Sequence, residues 1–367
     1  MKVLHIITGN DDGGGANHLL NLCLNSKETM ECTIGCIGTG SLYEKAGEKG
    51  IDRILLSPKS FFGSEAADLI KGRGFDIVNF HGAKAFFLGK RILKKLVIPC
   101  VATVHSNYRQ DFLNSRVKQL IFTPLSVSGL RKFDYFICVS NYIKNLLSVD
   151  GIEGMKFVVP NGIDLEECRV TTDAQAIRRS LGIGEDDFVF TMVARFHPVK
   201  NHATLIRAFS KLRAEFDNVR LLLVGEGESR AEIEASAGEG VIFAGFRENV
   251  LDYVNASDIT VLTSLSEGGA PPLVVLESAA VSKTVIASSV GDMPHIINGG
   301  NGFLVDPHSE EDIYLKLREA YMHPDTIKAM GENLNRFVRD KFSTERFCSS
   351  YYDAYRTIIE DSKDVRA

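Results

Sequence analysis

At 367 residues, 44% hydrophobic and 24% charged, the chain exceeds the usual size of one compact domain and has ample apolar material for a core; wholesale disorder is excluded and two domains are expected. Seven Cys include no C-x-x-C pair, Cys32 and Cys36 being the closest, which reads as reduced, buried thiols rather than a disulfide framework or a zinc site. The net charge of −5 is segregated: Lys and Arg against Asp and Glu count 20 to 15 over residues 1–165 (+5) and 22 to 32 over the rest (−10).

The start, MKVLHIITGN, reads as a short apolar strand running into glycines, not as a signal peptide. No apolar run approaches the roughly 20 residues that span a bilayer, so the expected location is cytoplasmic. Strands are predicted over 3–7, 33–37, 77–80, 100–104, 135–139 and 156–159, with amphipathic helices over 17–26, 43–49, 85–96 and 141–149. Such alternation builds βαβ units around a parallel sheet. Pro160-Asn161-Gly162 is a strong turn signal, and a less regular stretch to about Gly184 follows it. The domain boundary belongs there.

The alternation then restarts, with strands over 188–193, 219–224, 241–243, 259–263 and 284–287. Helices are predicted over 203–216, 230–237 and 273–280, and fill most of 309–360. Two doubly wound α/β sheets in tandem make the cleft between them the default ligand site, because strand carboxyl ends and helix N-termini point into it.

Four loops carry candidate chemistry. Arg195 and Lys200 flank a Pro turn between the strand 188–193 and the next helix. Arg chelates two oxygens and Lys supplies a compact charge, the pair a departing diphosphate needs; two solvated cations at a strand end fit the same pattern. Ser266-Glu267-Gly268-Gly269-Ala270-Pro271-Pro272 leads into a helix that starts at Leu273 and carries Glu277. The glycines suit close approach of backbone N–H groups to an anion. Glu277 either accepts hydrogen bonds from ribose hydroxyls or is the solvent-facing position of its helix. Gly13-Gly14-Gly15 follows the first strand and reads either as a phosphate cradle or as a flexible turn; it is neither G-x-G-x-x-G nor a Walker loop. His105 ends the strand 100–104, as a cleft residue or as a satisfied structural histidine. Gly225-Glu226-Gly227 and Gly245-Phe246-Arg247 close two further strands on one edge of the second sheet.

In order, the segments GGGANHLLNL, FDIVNFH, TVHSN, CVSNYIKNLL, VVPNGIDLEEC, VARFHPVKNHATLIRAF, LLLVGEGESRAEIE, VIFAGFRENVLDYVNASDITVLTSLSEGG, LVVLESAA and NGFLV resemble the retaining glycosyltransferases of family 4. The resemblance implies the GT-B fold, two Rossmann-like domains facing a deep cleft. Residues 1–165 would bind the acceptor and 166–344 the nucleotide-sugar, with a helix in 345–367 crossing back to the first domain. It further implies a retaining, metal-independent hexosyltransferase with no cofactor, in which Arg195 and Lys200 grip the diphosphate, Glu277 binds ribose and Glu267 contacts sugar hydroxyls. Gly14 and Gly15 approach the diphosphate from the first domain and His105 lies beside the sugar. Gly225, Phe246 and Arg247, with Gly268, Gly269 and Leu273, complete the donor site.

Departures from the family pattern are the longer spacing between Glu267 and Glu277, Ala16 or Asn17 where many relatives carry Glu, and Gly291-Asp292-Met293-Pro294-His295 in place of Gly-Gly-x-Pro-Glu. A UDP-linked hexose or N-acetylhexosamine is the expected donor, ahead of GDP-mannose, with a polysaccharide precursor or lipid-linked acceptor. A non-catalytic sugar-nucleotide-binding protein and a GT-B epimerase are the rival readings. Residues 84–132 hold ten basic side chains and one acid, Asp111, interleaved with Phe86, Phe87, Leu88, Ile92, Leu93, Leu96, Phe112, Leu120 and Phe122. This pattern fits peripheral contact with an anionic membrane at its cytoplasmic face and equally an ordinary core helix with solvated cations. Without a reading module, nucleic acid is not an expected partner.

Overall fold

The computed structural model describes residues 1–11, 13–109, 124–268 and 271–364. The chain forms two compact units, Met1–Gly162 joined by the C-terminal segment from Thr344, and Ile163–Ser343.

The first unit is built on seven parallel strands: β1 (Lys2–Thr8), β2 (Glu31–Ile37), β3 (Asp52–Leu56), β4 (Ile77–His81), β5 (Cys100–Val104), β6 (Tyr135–Cys138) and β7 (Met155–Val158). Their order is β3-β2-β1-β4-β5-β6-β7. Because side chains alternate along a strand, Leu4, Ile6, Val78, Phe80, Ala102 and Val104 face one apolar layer. Val3, Ile77 and Val101 face the opposite layer, which the C-terminal helix Thr344–Asp364 covers with Phe347, Cys348, Tyr351, Tyr355 and Ile358. That stripe recurs at helical spacing, and its two tyrosines reach polar groups beneath: Tyr351 Oη lies 2.7 Å from His18 Nε2, and Asn79 donates to Tyr355 Oη at 2.6 Å.

Most predicted strands form within a residue or two of their expected limits. β3 went unread because it is a short edge strand that opens on Asp52-Arg53 and leaves Leu55 exposed. The helix expected over 85–96 is broken into a helix Ala83–Gly89 and a 3-10 turn Leu93–Lys95. Phe86, Leu88, Ile92 and Leu96 are buried in the core of the unit, so the apolar face expected to lie on a membrane is turned inward. The predicted Asp111, Phe112, Leu120 and Phe122 lie outside the described residues.

The second unit carries six parallel strands: β8 (Phe188–Val193), β9 (Val219–Val224), β10 (Val241–Gly245), β11 (Ile259–Leu262), β12 (Val285–Ser288) and β13 (Gly302–Val305), in the order β10-β9-β8-β11-β12-β13. Helices His202–Glu215 and Glu310–Met322 bury Leu205, Phe209, Leu212, Ile313 and Leu317 against one face. Helices Leu273–Ala280 and Pro324–Lys341 bury Val275, Leu276, Leu334 and Val338 in a second apolar cluster. In each sheet the strand order reverses direction at one place, β1/β4 in the first unit and β8/β11 in the second, and ligands of open α/β sheets bind beyond the strand carboxyl ends at such points.

Among the described residues no helix is long and apolar enough to cross a membrane.

Candidate functional site

In the second unit β8 and β11 deliver the two loops the sequence singled out. After β8, His197 caps a 3-10 turn Pro198–Lys200, its Nδ1 accepting from Val199 N at 3.1 Å. Asn201 ends that turn in the left-handed region (φ 60°), held by its amide donating to Pro307 O at 2.7 Å. The Leu265 N–H donates to Val199 O at 2.8 Å, so the β8 loop and the β11 loop are stitched together. This stitching brings Lys200 Nζ to within 2.5 Å of Glu267 Oε1. The pair is largely shielded, with 24% of the lysine side chain and 12% of the glutamate exposed, so its mutual attraction is weakly screened. Arg195 is exposed and forms no salt bridge among the described residues. Its charge helps hold His197 below its ordinary pKa, after burial as the main cause.

Glycines let backbone segments close on this loop. A Cβ at Gly225 (φ 144°) would fall 2.0 Å from Ala194 O, and one at Gly227 would fall 2.3 Å from Phe196 O. The 225–227 turn therefore rests directly on the segment that carries Arg195. Gly291 (φ 58°) does the same for Glu267, whose carbonyl oxygen a Cβ would meet at 2.6 Å. Phe246 is 68% exposed at the end of β10, and Arg247 lies over the Tyr253 ring at 5.4 Å. Gly268 and Leu273 are partly buried, and Gly269 lies outside the described residues. Glu277, one turn into the helix Leu273–Ala280, keeps a partly open face with no hydrogen-bond partner among the described residues. The protein packed around it pushes its carboxyl up to about 7.

In the first unit Gly14 opens the helix Gly14–Asn25, and Gly13 caps it without a side chain. A Cβ at Gly14 would meet nothing within 4 Å, and one at Gly15 would make ordinary contact with Asp11 and with the His105 ring at 3.7 Å. Internal packing does not demand glycine at either position. The Gly13 N–H is already used, donating to Asp11 Oδ1 at 2.9 Å.

His105 sits in company that the sequence reading missed. Its Nε2 lies 2.9 Å from His81 Nδ1, and His81 Nε2 lies 3.0 Å from His5 Nδ1. His18 packs edge-on against the His105 ring at 4.7 Å. Burial holds His105 and His81 well below their ordinary pKa, with neighbouring histidines adding to the effect. Strand parity carried the signal: His5 and His81 lie on the face of β1 and β4 that the C-terminal helix covers, and His105 follows β5 directly, in step with Val101 and Thr103.

Two family profiles match the chain: "Glycosyltransferase Family 4" over residues 13–167 and "Glycosyl transferases group 1" over 173–337. The chain belongs to the family 4 glycosyltransferases. It is 26% identical over 305 residues to the UDP-Gal:alpha-D-GlcNAc-diphosphoundecaprenol alpha-1,3-galactosyltransferase of Escherichia coli, covering 79% of this chain and 78% of that one. It is 24% identical over 323 residues to the N-acetyl-alpha-D-glucosaminyl L-malate synthase of Bacillus anthracis, covering 82% and 80%. Anabaena HepE in complex with UDP superposes with a TM-score of 0.84 at 18% identity, covering 97% of this chain and 100% of that one. The α/β, GT-B class expected for this family 4 member holds, as two parallel sheets flanked by helices.

Proposed function

We propose that this family 4 glycosyltransferase moves a hexose or N-acetylhexosamine, with retention of anomeric configuration, from a UDP-linked donor to a lipid-linked or polysaccharide-precursor acceptor. In this reading the second unit binds the donor and the first the acceptor. The observation that carries it is the meeting of Lys200 and Glu267, beside Arg195, on the two loops that leave β8 and β11.

A nucleoside diphosphate gains negative charge as the glycosidic bond breaks, and fixed cations there lower the barrier. Lys200 is pre-positioned by its bond to Glu267. A diphosphate draws the ammonium onto its oxygens, which frees the carboxylate to accept from sugar hydroxyls, so the ion pair of the free protein is exchanged for two contacts with the donor. Arg195 and Lys200 together supply the charge neutralisation, and on that ground we assign the reaction no requirement for a divalent ion. Glu277 accepts from the ribose, and exposed Phe246 with Arg247 borders the base. In the first unit the Gly14–Gly15 turn, open at its surface, faces the phosphates, and His105 lies beside the sugar ring.

The uridine nucleotide is supported by the UDP-Gal enzyme of Escherichia coli and the UDP complex of HepE. A lipid-linked acceptor is supported by the diphosphoundecaprenol in the name of the former relative. It is also supported by the basic surface of the first unit, where Lys84, Lys94 and Lys95 are exposed and Arg91 lies over the Phe62 and Phe87 rings. Contact with an anionic membrane then runs through cations and exposed Phe62, at the cytoplasmic face.

A thermal-shift and hydrolysis screen across UDP- and GDP-sugars tests the donor, since a bound donor stabilises the fold by mass action. NMR of the transferred product, formed with and without a chelator, tests the stereochemistry and the metal requirement. A UDP-sugar should stabilise and be consumed, giving an α-linked product from an α-linked donor. An inverted product, or turnover that chelation stops and magnesium or manganese restores, overturns the corresponding assignment.

A further inference from the structure

Three side chains outside the proposed donor chemistry meet inside the first unit. His5 comes from the middle of β1, Cys23 from the helix Gly14–Asn25 and Cys32 from β2. One ligand atom from each, an imidazole nitrogen and two sulfurs, lies within 4.8 Å of the others. His5 and Cys23 are buried and Cys32 is partly buried. Their positions, 5, 23 and 32, match no metal-ligand spacing, which is why the sequence offered no zinc site; three separate elements assemble the group.

A second observation points into this cluster. His5 Nε2 is fully buried and has no hydrogen-bond partner among the described residues, whereas His5 Nδ1 is paired with His81 Nε2 at 3.0 Å. If Nε2 carried a proton, a buried donor would stand unmet, at a cost of about 1–3 kcal/mol. With the proton on Nδ1, donated to His81, Nε2 is left as an unpartnered acceptor in the buried layer against which Cys32 packs. A ring held by its other nitrogen is how proteins orient a metal-binding histidine. The Ser26 hydroxyl, 3.5 Å from Cys32 Sγ, braces one thiol. Cys348 packs in the same apolar layer as Cys32 but is not one of the three that meet within 4.8 Å.

We propose that His5, Cys23 and Cys32 bind a zinc(II) ion that fastens β1, β2 and the first helix together. Two sulfurs and an imidazole select a soft or borderline metal over magnesium or calcium, which take oxygen ligands. Bonds of about 2.3 Å to sulfur and 2.0 Å to nitrogen place tetrahedral ligand atoms roughly 3.4–3.8 Å apart, so closing the present cluster takes side-chain shifts of about an ångström. Zinc displaces the proton of each thiol, and the dication with two thiolates is neutral, the charge state a buried site tolerates. Zinc on Nε2 also fixes the direction of the histidine file: His5 donates to His81 and His81 donates to His105 Nε2.

The test is metal analysis of the full chain purified under reducing conditions from zinc-supplemented cells, with cobalt(II) titration of the chelator-stripped protein. We expect about one zinc per chain and a thiolate-to-cobalt charge-transfer band with intense tetrahedral d–d absorption. Cys32→Ser and Cys23→Ser should lose both signals, while Cys168→Ser, which alters a thiol of the second unit, keeps them. Circular dichroism of the variants separates lost ligation from lost fold, and the wild-type cobalt spectrum stands without any variant. Less than about a tenth of an equivalent of zinc with no charge-transfer band, or a Cys23–Cys32 disulfide in the reduced-lysate protein, overturns the proposal. A failed donor screen leaves this result untouched.

Discussion

Glu277 is a carboxyl that the surrounding protein keeps near its neutral form, with its pKa pushed to about 7 by burial. Ribose hydroxyls donate to the ionised carboxylate, so donor binding in our reading pulls that pKa down and releases a proton. Affinity for UDP should therefore weaken by up to tenfold per pH unit below about 7. In Glu277→Gln that pH dependence should flatten, leaving only the titration of the phosphate itself; calorimetry at several pH values reads the difference. The same shift has a stability sign. A carboxyl whose folded pKa is raised favours folding below its unfolded value of 4.5 and penalises it as pH rises through about 7. Glu277→Gln should raise the unfolding free energy at pH 8 by about 1–3 kcal/mol and leave it unchanged near pH 4. Arg195, Lys200 and Glu267 were legible as candidates because each sits within a few residues of a strand end. The His5–His81–His105 file was not, because its members are 24 and 76 residues apart and meet only across paired strands.

Loops at strand ends hold their geometry through glycines packed on backbone. Gly225→Ala puts a methyl group 2.0 Å from Ala194 O at a φ of 144°. Something must shift, and the nearest movable segment carries Arg195. The variant should lose about 1–3 kcal/mol of stability and show weaker UDP binding than Gly72→Ala, where a Cβ has open space. If both variants bind UDP like the wild type, the 225–227 turn has no part in placing the arginine. Central strands were readable as continuous apolar runs. The two that escaped, β3 and β13, are both edge strands, and β13 opens on Gly302, which reads as a turn although a Cβ there would strike Val285 O at 2.8 Å. The helix Ala174–Ser180 was hidden in a polar stretch; Asp173 caps it by accepting from Ala176 N at 3.0 Å, and Arg178 anchors it to Asp258 and two backbone carbonyls.

Across the whole molecule, buried neutral histidines set an acid limit on stability. His18 and His202 are held down at about 4 and His105 well below its ordinary value, burial being the main cause for each. The unfolded chain takes up those protons below about pH 6.5, so the stability these residues allow is complete above that value and is lost as pH falls toward 4. The unfolding free energy should drop by up to about 1.4 kcal/mol per pH unit for each histidine. Urea unfolding at pH 7.5, 6 and 5 checks the slope; a flat profile would mean these sites open to solvent.

The central claim is that Arg195 and Lys200 grip a diphosphate, and UDP, UMP and uridine binding to the wild type and to Arg195→Ala and Lys200→Ala tests it most directly. The account predicts that UDP outbinds uridine by about 100-fold or more in the wild type and that each substitution cuts this margin at least about tenfold, as losing one charge-assisted contact implies. Variants that keep the full wild-type margin would contradict it.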